Sequence, residues 1–229
     1  MAYEPSEAAA WRGRALVIDL FRFSNTICAR VESGRRNIRV YASPARALAA
    51  KKLEKNADLF SEIDLGPEIT HRYDNSPYIA LRGPDPARTA LCVTNSGSPA
   101  VCALTLAEEV LIACFANFPA LTAYCRARPK PTLIVPACLF YNRAHVEDFI
   151  CARALARELE GEDAFEAALQ AIHSSGRVLD FMTSRPETGK RDMEIALKKG
   201  LFKGIPRVKF ADGVGIVDNA AKPGLPKRK

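Results

Sequence analysis

Short apolar runs alternating with helix-forming segments are the feature that most restricts how this chain can fold. Residues 15–20, 90–93, 110–115 and 132–135 are near-continuous apolar runs of strand length, and 38–41 is a shorter one. Runs of this kind read as strands buried on both faces. Between them the pattern predicts helices over 27–32, 45–55, 99–109, 119–128 and 145–160. Ser43 caps the second of these with Pro44 just inside it, and Leu48 and Leu53 are expected to face inward. Strand–loop–helix repeated at least four times predicts an α/β fold: three layers, α/β/α, around a mostly parallel or mixed central sheet with right-handed crossovers. Further elements are expected as a short strand over 59–65, a helical turn over 77–81, and a helical segment over 161–200 broken at 174–176 and at Pro186. Residues 205–210 and 214–217 read as one or two edge strands.

Residues 15–218 form one expected domain, preceded by a polar lead-in over 1–14 and followed by a basic tail over 219–229, expected to be disordered. A hydrophobic share of 48% is enough for a sizeable core, yet no run approaches membrane-spanning length and the start lacks a signal pattern. The seven cysteines are odd in number and form no Cys-x-x-Cys pair, which points to reduced thiols used as small core residues in a cytoplasmic protein. The net charge of +7 favours a small anionic substrate. There is no basic stripe interleaved with aromatics, which argues against nucleic acid. A homodimer is allowed but not specified.

The polar residues gather at strand ends. Asp19 closes the first apolar run, with Arg22, Ser24 and Thr26 behind it. A single Asp-x-x-Arg also reads as a capped loop with its ion pair, but similar punctuation recurs. Asp64, Asp74, Asn75 and Ser76, then Thr94, Asn95, Ser96 and Ser98, then Asn117, and finally Glu147 and Asp148 follow later runs. In a parallel sheet most of these would reach one edge, where open α/β sheets bind ligands. Glu147 and Asp148 also suit a first helical turn on dipole grounds alone. Carboxylates with hydroxyls suit Mg²⁺, and arginine with helix starts suits phosphoryl oxygens. Together these suffice for phosphoester hydrolysis.

Other chemistries lack their motifs. There is no Gly-x-Gly-x-x-Gly, no phosphate-binding Gly-x-x-x-x-Gly-Lys-Ser/Thr and no Gly-x-Ser-x-Gly elbow. Phe21 stands where an aspartyl-phosphate enzyme would have its second acid, and the helix-forming residues between Cys151 and Arg157 cannot build an anion loop. His71, His145 and His173 have no metal-ligand spacing. His145 reads as a first-turn or surface residue that can touch substrate.

In order and spacing, these segments resemble the 2-phosphosulfolactate phosphatase family from about residue 16 to 208. The carriers are Asp19-Leu20-Phe21-Arg22-Phe23-Ser24-Asn25-Thr26, Asn75-Ser76-Pro77, Val93-Thr94-Asn95-Ser96-Gly97-Ser98, Asn117, Val146-Glu147-Asp148, and Asp192 with Ile205-Pro206. The resemblance implies an α/β layered fold and Mg²⁺-dependent hydrolysis of 2-phosphosulfolactate to sulfolactate and phosphate, a step that in some organisms leads toward coenzyme M. On this reading Asp19, Glu147 and Asp148 are metal ligands or water activators, and with Arg22 they form the catalytic set. Arg22, Asn95 and Ser96 hold phosphoryl oxygens, while Ser24, Thr26, Asn75, Ser76, Thr94 and Asn117 complete the substrate site. Phe23 is bulky where the family has a small residue, Asn25 replaces a hydroxyl, and Ser96 is an insertion. The alternative these departures raise is a catalytically impaired, anion-binding member of the same fold.

Overall fold

A computed structural model describes residues 1–66, 69–83 and 85–221; most of the basic tail, from residue 222 on, lies outside the described residues. The elements run α1 (Pro5–Ala10), β1 (Arg14–Ile18), α2 (Phe23–Glu32), β2 (Ile38–Val40), α3 (Pro44–Leu53), β3 (Asp58–Phe60), β4 (Arg72–Tyr73), α4 (Pro77–Arg82) and β5 (Ala90–Cys92). The chain continues through α5 (Gly97–Cys102), β6 (Glu109–Ile112), α6 (Phe118–Arg126), β7 (Thr132–Pro136) and α7 (Val146–Glu160). Last come α8 (Phe165–Ser174), α9 (Arg177–Ser184), α10 (Gly189–Ala196), β8 (Pro206–Ala211) and β9 (Val214–Asn219). Among the described residues no helix is long and apolar enough to cross a membrane, and all seven cysteines are free, six of them buried.

The fold is α/β, and its sheet is mixed. The strand order is β4-β3-β5-β2-β9-β8-β6-β1-β7. One half, β4-β3-β5-β2, pairs in parallel, as does the other, β6-β1-β7. Both faces of β1 are covered: Leu16 and Ile18 join a core with Leu121 and Leu155, while Ala15 and Val17 join another with Phe23 and Val101. That is the period-two alternation of a strand buried between two helical layers.

The C-terminal hairpin departs from expectation. β8 and β9 do not lie at an edge; they join the two halves, β9 antiparallel to β2 and β8 antiparallel to β6. Their alternation of buried and exposed residues is that of a strand with one open face, but position within a sheet depends on partners far away in sequence. Three antiparallel junctions leave the two parallel halves running in opposite directions. A flat sheet would then send the ends of β1 and β5 to opposite edges. The sheet is curled, however, so its two halves wrap toward one another. The ends meet, and the Ser96 hydroxyl beyond β5 donates to Asp19 Oδ2 beyond β1 at 3.3 Å.

Two smaller expectations are also corrected. Leu53 is 91% exposed, not inward-facing like Leu48; at 100° per residue, side chains five apart lie about 140° apart around a helix and cannot share a face. The helix expected over 99–109 ends at Cys102.

Candidate active site

Asp19 is fixed by the turn that follows β1. Its backbone N–H donates to Ser24 Oγ (2.9 Å), its carbonyl accepts from Ser24 N (3.0 Å), and Oδ1 accepts from Phe23 N (3.2 Å). The carboxylate therefore stands at the start of α2, beside a cavity of about 380 Å³. Loops after five parallel strands contribute Asp19 and Arg22, Glu62, Asn75, Asn95, and Tyr141 with His145; α9 and the residue after it contribute Arg177, Asp180, Phe181 and Arg185.

Five of the site residues anticipated from sequence line this cavity: Asp19, Arg22, Asn75, Asn95 and Ser96. The others stand behind it. Thr26 Oγ1 bridges the carbonyls of Arg22 (3.0 Å) and Asn75 (3.2 Å). Ser76 caps α4 and donates to Asp192 at 2.5 Å. Thr94 exchanges bonds with Ser98, closing the turn before α5. Asn117 closes the turn after β6 through Cys114 N and Ile112 O. Asp148 is buried, with Oδ1 accepting from Leu20 N (2.8 Å) and Oδ2 from Cys138 N (2.9 Å), so it ties the ends of β1 and β7 together. Glu147 is buried and meets Arg177 through two parallel bonds of 2.9 and 3.0 Å.

Glu62, Arg177 and Arg185 were not anticipated. Glu62 lies in a short polar loop after β3 with nothing local to distinguish it from a solvated residue. The two arginines lie on or just beyond a helix more than 150 residues from Asp19 in sequence, where no spacing motif can connect them.

The site's electrostatics divide into a compensated and an uncompensated part. Arg22 is nearly fully buried, and burial opposes its charge; bonds to Asp74 (2.6 and 2.8 Å) and Asp192 (3.0 Å) more than offset that and push its pKa up. These bonds leave the Nε hydrogen and one Nη2 hydrogen of its five without a partner among the described residues. Asp19 and Glu62 have no such compensation. Burial, then the charge of Glu62, pushes Asp19 up to about 7. Burial likewise raises Glu62. Glu62 Oε1 accepts from Asn95 N at 2.8 Å, but Oε2 is buried with no hydrogen-bond partner among the described residues. Burial lowers the pKa of His145, against the pull of Glu147.

An orphaned carboxylate oxygen beside a second crowded carboxylate is the environment a cation relieves. The described residues contain no cluster of three or more His, Cys, Asp or Glu able to enclose a metal. The two carboxylates, Asp19 and Glu62, could serve as ligands to an ion that fills its remaining positions with waters and substrate oxygens, as Mg²⁺ does.

Phe23 also finds its place here. A Cβ on Gly97 would fall 2.4 Å from the Phe23 ring, so the glycine makes room for the bulky residue. Replacing Gly97 by Ala is expected to destabilise the fold by about 1–3 kcal/mol through overpacking, and Gly97→Ala combined with Phe23→Leu should not recover it, because leucine keeps the Cγ and Cβ that lie 2.4 and 2.6 Å from the added methyl group. Denaturant midpoints check both; an unchanged midpoint for Gly97→Ala would show that the contact is not tight.

A profile of the 2-phosphosulpholactate phosphatase family matches residues 2–209. Proteins named probable 2-phosphosulfolactate phosphatase from Thermotoga maritima and Gloeobacter violaceus are each 24% identical to this chain. The first alignment covers 89% of this chain and 91% of the relative, and the second 92% and 89%.

Proposed function

Because the chain belongs to the 2-phosphosulpholactate phosphatase family, we propose that it hydrolyses a small phosphorylated organic acid, 2-phosphosulfolactate first among them, with Mg²⁺ as cofactor. The family is one of phosphoric monoester hydrolases, and the relatives' names carry the same activity. The observation that supports the cofactor is the Oε2 of Glu62, buried and without a hydrogen-bond partner among the described residues, beside the raised carboxyl of Asp19. These two residues would hold the ion. When bound, Mg²⁺ polarises a phosphoryl oxygen and makes a bound water more acidic.

The remaining roles belong to the chain itself. Arg22, clamped by Asp74 and Asp192, is pre-oriented, so its unpaired N–H groups can bind phosphoryl oxygens without reorganising. Asn95 and Ser96 line the same space and supply an amide and a hydroxyl. Water oxygen bonds to phosphorus as the ester P–O bond breaks, releasing inorganic phosphate and the hydroxy acid. Glu147 and Asp148 act one step back on this reading: Glu147 orients Arg177, and Asp148 fixes the loops on which Asp19 and His145 stand.

Release of inorganic phosphate from 2-phosphosulfolactate tests the assignment. Turnover with Mg²⁺ that stops with chelator and returns on adding the metal is the expected outcome. Calorimetric binding of phosphate with no turnover under any divalent metal would instead establish the anion-binding alternative.

A further inference from the structure

Three guanidinium groups line the cleft, and two are neutralised. Arg22 is paired with Asp74 and Asp192, and Arg177 with Glu147 and, at 3.8 Å, Asp180. Arg185 differs. Among the described residues no carboxylate lies within ion-pair distance of it, and its one side-chain hydrogen bond runs from Nη1 to its neighbour's carbonyl, Ser184 O, at 3.1 Å. Its backbone is nevertheless well fixed: it stands at the C-terminal end of α9, and its carbonyl accepts from Gly189 N, the first residue of α10, at 2.7 Å. Its guanidinium lies 6.0 Å from the centre of the Phe181 ring, and that of Arg22 lies 5.2 Å from the same ring. The cleft thus presents two cations along one aromatic wall, and only Arg22 has its charge already balanced by the protein.

We infer that Arg185 is the specificity-determining residue of the cleft: it binds a second anionic group of the substrate, a carboxylate or sulfonate, while the phosphoryl group lies at Arg22. This rests on the phosphatase reading. A planar guanidinium matches either oxyanion through paired N–H donors. A phosphate ester whose remainder is uncharged leaves that cation without a partner, and so gains nothing from it.

Two esters that differ only in the second group decide the matter. Phospholactate carries a carboxylate on the phosphorylated carbon; isopropyl phosphate has a methyl group there. The wild-type protein should favour phospholactate in kcat/KM. Arg185→Gln should lower that value about 10–100-fold, mainly through KM, as expected for losing one charge-assisted contact, and leave isopropyl phosphate unchanged. Arg185→Lys should restore part of the loss by retaining the charge. Equal falls for both esters, or no fall for either, would overturn the assignment. If the wild-type protein hydrolyses neither these esters nor 2-phosphosulfolactate, the phosphatase reading fails separately. Calorimetry with sulfolactate then still tests Arg185: weaker binding by Arg185→Gln supports the assignment, and equal binding overturns it.

Discussion

Replacing Asp19 by Asn should lower phosphate release by about 10³-fold, the scale on which losing a metal-positioning carboxylate raises a barrier by about 4 kcal/mol, while making the protein harder to unfold near neutral pH. The two effects share a cause. Asp19 is a buried carboxyl whose pKa is pushed up to about 7, first by burial and then by the charge of Glu62. In the unfolded chain it titrates near the ordinary value of 3.8. Between those values the native state binds the proton that the unfolded state has released, so stability falls as pH rises from about 4 to 7. Above that range the full penalty is present, on the order of 2–4 kcal/mol at about 1.4 kcal/mol per pH unit. An amide carries no charge at any pH. Asp19→Asn should therefore be more stable than wild type near pH 8, nearly equal to it near pH 4, and flatter in between; residual slope would come from Glu62, which burial also raises. Thermal unfolding across this pH range, set beside turnover, measures both. A variant that is inactive and less stable at pH 8 would show that the carboxylate is structural.

Arg22→Ala should act in the opposite direction on stability and in the same direction on turnover. Asp192 is completely buried, and Arg22 is its cationic partner at 3.0 Å; Ser76 Oγ and Tyr78 N remain as its other donors. Removing one member of a buried pair leaves an uncompensated charge, at a cost of about 3–5 kcal/mol. For a domain of this size that lowers Tm by roughly 10 °C. Asp74 contributes less to the loss, since its side chain is about a third exposed. Combining Arg22→Ala with Asp192→Asn removes both charges and should recover most of the stability. It should not recover phosphate release if Arg22 binds the phosphoryl group as proposed, because its N–H donors are still missing. Turnover restored in the double variant would mean that Arg22 serves the fold alone.

What the sequence determined by itself was everything encoded within about ten residues of a given position. Apolar run length separated strands from helices, and strand–helix alternation set the α/β class. Asp19 and Arg22 were legible because they interrupt a buried strand at its end, and Asn95 and Ser96 because they follow another. Tertiary structure decided the rest, since each remaining feature rests on contacts between distant segments. The β8–β9 hairpin looked like an edge ribbon, yet pairing with β2 and β6 carries it into the middle of the sheet and reverses one half against the other. The curl of the sheet then brings Asp19 and Ser96 together. Glu147 and Asp148 looked equivalent as adjacent acids, but adjacent helical residues point about 100° apart. One therefore meets Arg177 on α9, and the other meets the backbone of the β1 and β7 loops. Glu62, Arg177 and Arg185 share no local pattern with Asp19. They become one site because the chain folds five loops and a distant helix around the same cleft.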